Sequence, residues 1–369
     1  MAFHLRTEDF AAFFEAPFSS YGPDSLYVSP LRSDLYRFLD RRQNPLFQGG
    51  SDLTFFTAHR DGRVVGRITA HVHNQSNQLH GVSRGYFGYF DVADDGEAAA
   101  ALLGAAEGWV RARHLAEIMG NFNLTAMQQI GVMTGGFDAR PYTDLVYSPP
   151  HVARLLAENG YSAEFGMTTY EVDLTRTDPP GISAKSQAIL DDPAFTFAPI
   201  NRSTIPQRME DARLILNEAF ARNPMFVPVT AEEFHFQAKD MKWIMDPRIS
   251  ALLHWNGRPA ACLICIPDLN PLLHRIRSRI GWTTPYHFIR HRMTNRRAVL
   301  IFTGVIPELH GRGINPVMLR RVILAARKAG YETLGNTWIA DVNAASLAQT
   351  EKAGARALHR LHLFSKRLV

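Results

Sequence analysis

The sequence predicts an α/β (α+β) chain of two similarly built domains, each a mixed, largely antiparallel sheet flanked by helices. Three observations carry that reading. Two alternating apolar runs are each broken by an Asx-Gly pair, Asp61-Gly62 and Asn256-Gly257, the spacing of a two-residue hairpin. Each half closes on a helix, a glycine stop and a strand-like run, HVARLLAENGYSAEFGMTTYEVDL in the first and EKAGARALHRLHLFSKRL in the second. The elements between hairpin and closing strand follow the same order in both halves, which is the mark of an internal duplication.

The bulk composition fits two globular domains. At 369 residues, 46% hydrophobic and 20% charged, the chain is long enough to bury two cores. No apolar run approaches the roughly 18 residues that span a bilayer, and the acidic start MAFHLRTEDFAAFFEAPF does not read as a signal peptide. Two cysteines, Cys262 and Cys265, are too few for a disulfide framework and point to a reducing, cytoplasmic setting. They lie three apart in an apolar strand-like run, so they face opposite sides and are expected to pack in the core. No metal-ligand spacing appears. The net charge of +5 does not choose between nucleic acid, anionic lipid and a phosphate-rich cofactor.

The first half reads DLTFFTAHR, the Asp61-Gly62 turn and RVVGRITAHVH as a hairpin, YFGYFDV as a strand, GEAAAALLGAAEGWVRAR as a helix and LAEIMGNFNL as a strand. A proline- and aspartate-containing stretch, residues 175–194, reads as the linker between a domain over 1–174 and one over 195–369. In the second half Ile205, Met209, Leu214, Leu216 and Phe220 recur at helical spacing. Thr230 with Glu233 three residues on has the capping-box spacing. The Asn256-Gly257 hairpin follows, then the strand AVLIFTGVIPE, a glycine-rich loop, the helix INPVMLRRVILAARKAG, the strand GYETLGNTWIADV and the helix AASLAQTEKAG.

The loop Glu308-Leu309-His310-Gly311-Arg312-Gly313-Ile314-Asn315 joins a strand to a helix. Two glycines let the backbone turn tightly and leave amides bare at a helix N-terminus, where the helix dipole favours a pyrophosphate. Arg312 adds a charge that pairs with phosphate oxygens. This strand, loop and helix, followed by a strand, Asn343 and a helix ending Glu351-Lys352-Ala353-Gly354, resembles the GNAT superfamily of N-acetyltransferases over about residues 195–369. The family's acyl-CoA signature is R/Q-x-x-G-x-G/A followed by a later Y-E-K-x-G. Gly311 and Gly313 match the first motif, and Glu351, Lys352 and Gly354 the second. The resemblance implies acyl-CoA as co-substrate, its pyrophosphate on the Gly311–Ile314 amides. It also implies that the backbone of Thr303, Gly304 and Val305 holds the pantetheine and that Asn343 is a cofactor-binding residue.

The chain departs from the signature twice. Glu308 stands where the family has Arg or Gln, and Thr350 where it often has a general-acid tyrosine. In the first half the matching loop carries Asp94 and Asp95 with a single glycine, Gly96, so that domain is expected to have lost its acyl-CoA site. The whole arrangement resembles bacterial tandem GNAT-type proteins that include N-acyltransferases for lipid amines, among them bacterial ceramide synthases. That resemblance implies an amine acceptor of lipid character and acyl-CoA or acyl carrier protein as donor.

An amine attacking a thioester must lose a proton, so a base is needed. Asp341, at the end of the strand carrying Trp338, is the first candidate, with capping of the next helix as its other reading; Glu308 is the second. His71, His73 and His254 lie on hairpin strands and read as structural. Residues 268–297 hold seven arginines (275, 277, 279, 290, 292, 296 and 297) among Leu, Ile, Trp, Tyr and Phe side chains. This is either a helical lid or a segment lying on an anionic membrane face, hence a peripheral protein. No nucleic-acid reader motif accompanies it.

Overall fold

The computed structural model describes residues 3–223 and 225–368. The chain folds as two compact units: Met1–Thr168 with Asn270–Ile289 and Leu358–Val369, and Thr169–Leu269 with Arg290–Ala357. The units therefore do not coincide with the halves 1–174 and 195–369. The closing strand of the second half and the front of the basic segment group with the first unit.

In chain order the elements are β1 (Phe3–Thr7), α1 (Phe10–Tyr21), α2 (Arg32–Leu39), β2 (Asp52–Arg60), β3 (Arg63–Val72), α3 (Asn74–His80), β4 (Arg84–Val92), α4 (Gly96–Arg111), β5 (Glu117–Gly120), β6 (Val132–Gly135), α5 (Pro150–Glu158) and β7 (Ser162–Asp173). There follow α6 (Ala184–Asp191), β8 (Phe195–Phe197), α7 (Ile205–Ala219), α8 (Ala231–Gln237), α9 (Met241–Ile244), β9 (Ala251–Trp255), β10 (Arg258–Pro267), α10 (Asn270–Arg275) and α11 (Thr284–Thr294). The chain ends on β11 (Arg297–Val305), α12 (Ile314–Lys328), β12 (Thr333–Ala340), α13 (Ala344–Lys352) and β13 (Arg356–Arg367).

The first unit's strands run in the order β1-β2-β3-β4-β5-β13-β7, with β6 also on β13, and the second unit's in the order β12-β11-β10-β9-β8. In both, the hairpin turns form as their sequence dictates. Asp61 and Gly62 have φ of 50° and 79°, and Asn256 and Gly257 repeat those values, the positive pair that a type I′ turn needs and that Asx-Gly tolerates. Thr230 and Glu233 make the reciprocal capping box of α8. The expected α/β (α+β) architecture, mixed parallel and antiparallel strands flanked by helices in each unit, is what forms.

In each unit an amphipathic helix turns its apolar stripe into the core. In the first unit Ala98, Leu102, Leu103, Ala106 and Val110 of α4 are buried; in the second, Ile314, Val317, Met318, Val322, Ile323 and Ala326 of α12. Cys262 and Cys265 are buried free thiols on β10. Burial pushes the Cys262 thiol up to about 12, so the pair packs and does not react. The stretch 175–194 is more than a linker: Ile189 of α6 joins the second unit's core, and Arg327 of α12 bonds back to the carbonyls of Leu174 and Thr177.

His71 and His73 are core groups of the first unit. His71 is fully buried. Its Nε2 lies 3.1 Å from the Leu124 carbonyl, and its Nδ1 is buried without a partner, so Nε2 donates and Nδ1 is bare. Burial lowers the pKa of His71 to about 3 against the opposing Leu124 bond, and that of His73 to about 4. The unfolded chain, titrating near 6.5, binds these protons first as pH falls. Stability is therefore whole above about 6.5 and lost downward toward 3, at about 1.4 kcal/mol per pH unit for each histidine. Urea unfolding between pH 7 and pH 5 is expected to show this slope, and His71→Gln to reduce it. A flat profile would place the protons elsewhere.

Candidate functional site

The site of the second unit begins where two parallel strands part. β11 and β12 pair from Arg297↔Thr333 to Leu300↔Asn336 and no further, although β11 continues to Val305 and β12 to Ala340. The cause lies on the other side of β11. Opposite β10 the register jumps from Ile264↔Phe302 to Cys265↔Leu300, so Ile301 is an extra residue, a bulge that bends the strand and ends its pairing. Thr303, Gly304 and Val305 therefore lie on the parted stretch of β11. Gly304 has a packing role. A Cβ there would stand 3.2 Å from Ile215 and 3.3 Å from Ala219 of α7, so the glycine lets that helix lie close to the strand.

Beyond β11, Pro307–Leu309 make one tight turn and the chain enters α12 through Gly311 and Gly313, at φ of 75° and 90°. These left-handed values suit glycine. Gly313 is the N-cap of α12 and no side chain caps it, so the first amides of the helix keep their donors for a ligand. His310 Nε2 lies 3.0 Å from the Val305 carbonyl, which ties the loop to the strand end. Arg312 is exposed beside the loop, its guanidinium 5.8 Å from the Trp255 ring centroid. Ser186 of α6 donates to the Gly313 carbonyl at 3.1 Å, and a Cβ on Gly313 would meet that hydroxyl at 3.0 Å. The presumed linker thus buttresses the loop, a contact no sequence signal announced.

The other expected site residues fall as follows. Glu308 is exposed and ion-paired with Arg258 at 3.3 Å, in a surface network with Glu218. Asp341 is exposed in the turn after β12. It does not cap α13; Asn343 does, accepting from the Ser346 amide at 3.1 Å. The Thr350 hydroxyl donates to the Ser346 carbonyl at 2.8 Å, so it is committed to its own helix. His254 lies 3.3 Å from both Asp211 Oδ2 and Arg208 Nη1. Arg208 and Asp211, outside the expected site residues, carry one sequence signal, opposite charges at i,i+3 on α7, where they form an ion pair.

The first unit repeats the geometry but fills it. β4 and β5 pair in parallel from Arg84↔Glu117 to Tyr86↔Met119 and then separate. The parted edge of β4 is satisfied from within. Asn123 Oδ1 accepts the Tyr89 amide at 2.7 Å, and Asn121 Oδ1 accepts the Phe90 amide at 3.1 Å. Helix α4 is capped by Asp95, which accepts from Ala98 at 3.1 Å and pairs with Arg60 at 2.8 Å. Asp94 is paired with Arg154. Carboxylates and side-chain amides thus occupy in this unit the positions that stay open in the second.

The basic segment is partly structural. Arg279 pairs with Glu15, the Arg277 guanidinium lies 5.3 Å from the Phe18 ring centroid, and Arg297 pairs with Asp268 at 2.9 Å. Its apolar residues divide as well: Leu272 is buried, while Ile280, Trp282, Tyr286, Ile289 and Met293 are exposed, Trp282 to 94%. Among the described residues no helix is long and apolar enough to cross a membrane, and no cluster of His, Cys, Asp and Glu could hold a metal ion.

Two units that each part a parallel strand pair beside a strand–loop–helix define a tandem GNAT fold, and this chain has it. It is similar along nearly its whole length to two bacterial proteins. Protein YghO of Escherichia coli (strain K12) is 27% identical over 376 residues, covering 99% of this chain and 94% of that one. The bacterial ceramide synthase of Caulobacter vibrioides (strain NA1000 / CB15N) is 25% identical over 353 residues, covering 94% and 91%. Among solved structures, a tandem GNAT protein from the clavulanic acid biosynthesis pathway superposes with a TM-score of 0.57 at 13% identity, covering 100% of this chain and 99% of its own. A GCN5-related N-acetyltransferase from Sphaerobacter thermophilus gives 0.56 at 14%, covering 99% and 96%. No protein-family model matches the chain.

Proposed function

We propose that the chain is an acyl-CoA-dependent N-acyltransferase that uses its second unit to bind the donor and moves a long-chain acyl group onto a lipid amine. The observation that carries the donor assignment is the parted β11–β12 edge leading into an uncapped helix N-terminus at Gly313. Strand amides and carbonyls there suit the amides of pantetheine, and the loop amides with Arg312 suit a pyrophosphate. Acyl-CoA supplies the thioester; an acyl carrier protein would present the same pantetheine arm. The amine nitrogen attacks the carbonyl carbon, the C–S bond breaks and a base takes the amine proton. Thr350 is committed to its helix backbone, so the sulfur leaves as thiolate, which a thiol pKa near 8.5 permits.

The lipid acceptor rests on two supports: the similarity to a protein named bacterial ceramide synthase and the exposed side chains of Ile280, Trp282, Tyr286 and Ile289 in a sequence segment rich in arginine. Exposed apolar anchors in an arginine-rich segment suit an anionic bilayer face, each arginine near it adding about 1 kcal/mol. Arg277 and Arg279 are held by their own unit, so the membrane-directed residues are the exposed aromatics with Arg275 and Arg290. The protein is expected to bind anionic liposomes in a salt-sensitive way. Trp282→Ser with Ile280→Ser and Arg290→Glu is expected to release it and lower turnover of a long-chain amine, leaving CoA binding intact. A wild-type protein that ignores liposomes and prefers acetyl-CoA with a water-soluble amine would instead be a small-amine acetyltransferase.

A further inference from the structure

We infer that helix α2 of the first unit presents Arg32 and Tyr36 to the same anionic bilayer that Ile280 and Trp282 meet, an assignment that rests on the lipid-surface reading above. The segment 270–289 belongs to the first unit and is seated on it at Ser278. That residue is 1% exposed. Its hydroxyl donates to the Ser29 carbonyl at 2.6 Å, and its own carbonyl accepts the Arg32 amide at 2.9 Å. The Ser278 amide donates to the Leu273 carbonyl of α10 at 2.8 Å. Arg277 and Ser278 have φ of 49° and 53°, two successive left-handed residues of which neither is glycine. Such a backbone persists where its surroundings impose it, so the chain leaves this seat in a fixed direction. Ile280 and Trp282, 68% and 94% exposed, follow directly.

An aromatic stripe on α1 joins this seat to α2. The Arg279 guanidinium lies 5.2 Å from the Phe14 ring centroid. The Arg32 guanidinium lies 5.9 Å from the same ring and 5.1 Å from that of Phe10. The Tyr36 ring meets Phe10 edge-on at 5.0 Å and is 53% exposed. Arg32 and Tyr36 are four apart, on one face of α2. A guanidinium stacked on an aromatic ring keeps its in-plane N–H donors for an anion. The carboxylates of α1 and α2 are committed elsewhere, Glu15 to Arg279 and Asp34 to Arg37. Among the described residues Arg32 has no carboxylate partner. A phosphate headgroup supplies that partner. Tyr36, like Trp282, has the apolar body and polar edge that settle at headgroup level. A soluble anion would leave both rings in water; a bilayer covers them.

The test is sedimentation of the full-length protein with vesicles of equal parts phosphatidylcholine and phosphatidylglycerol. Arg32→Gln with Tyr36→Ser is expected to weaken binding about tenfold, one arginine and one interfacial ring being lost, with Tm and CoA affinity unchanged. Ser278→Ala, which removes the hydroxyl that fixes the seat, is expected to weaken binding several-fold and to open the bond after Arg277 to trypsin. Wild-type binding by the Arg32→Gln, Tyr36→Ser protein, where Trp282→Ser with Ile280→Ser still releases it, overturns the α2 surface and leaves the lipid reading standing. A Ser278→Ala protein that trypsin cuts faster yet that binds as wild type overturns the fixed seat. A wild type that ignores these vesicles sinks both readings.

Discussion

Gly311→Asp is expected to lower CoA affinity about 100-fold with the fold intact. A Cβ at Gly311 meets nothing within 4 Å, and Asp is among the residues that tolerate a left-handed backbone, so the substitution disturbs the ligand more than the chain. It places a carboxylate where phosphate oxygens are to lie. Two charge-assisted hydrogen bonds forfeited at about 1.5 kcal/mol each give about 3 kcal/mol, or two orders of magnitude in Kd. Gly313→Asp is the less informative variant, because its side chain would also displace Ser186 of α6. Isothermal titration with CoA decides the matter. Unchanged affinity in Gly311→Asp would remove the pyrophosphate from this loop. One CoA per chain is the expected stoichiometry, since Asn121, Asn123 and Asp95 fill the corresponding positions of the first unit.

Asp341→Asn is expected to reduce turnover about 10²–10⁴-fold while CoA binding is retained, the usual loss on removing a general base. The argument is one of position. Asp341 follows the parted strand β12 directly and is exposed. The capping task that competed for it belongs to Asn343. Glu308 is the weaker candidate because Arg258 holds it on the surface. Near-normal turnover of Asp341→Asn across pH would pass the role to water or to His254 with Asp211. Single-turnover rates at saturating donor are the measurement, since they exclude product release.

The fold was legible because its signals are local. Asx-Gly at 61–62 and 256–257 demands two positive φ values whatever surrounds it, and Thr230 with Glu233 closes its capping box within one helical turn. The apolar stripes of α4 and α12 are periodic in sequence, so the helices over each sheet were readable before any contact was known. The loop at 311–313 was legible for the same reason: its glycines encode a backbone conformation. By contrast, α6 looked like a linker because its importance is a contact with Gly313, 127 residues away in sequence.

What the sequence determined by itself is therefore the tandem α/β (α+β) plan, the glycine-bearing strand–loop–helix proposed for the donor and the acidic replacement of that loop in the first half. Tertiary structure alone decided the rest. It showed that β11 and β12 part at Leu300 and Asn336 because Ile301 bulges against β10, a register property of paired strands that no single strand contains. It assigned most of the closing strand β13 to the first unit, where apolar alternation would have suited either unit. Charge pairing depends on which side chains meet in space, and desolvation on how much protein surrounds them, so neither is written in the order of the residues.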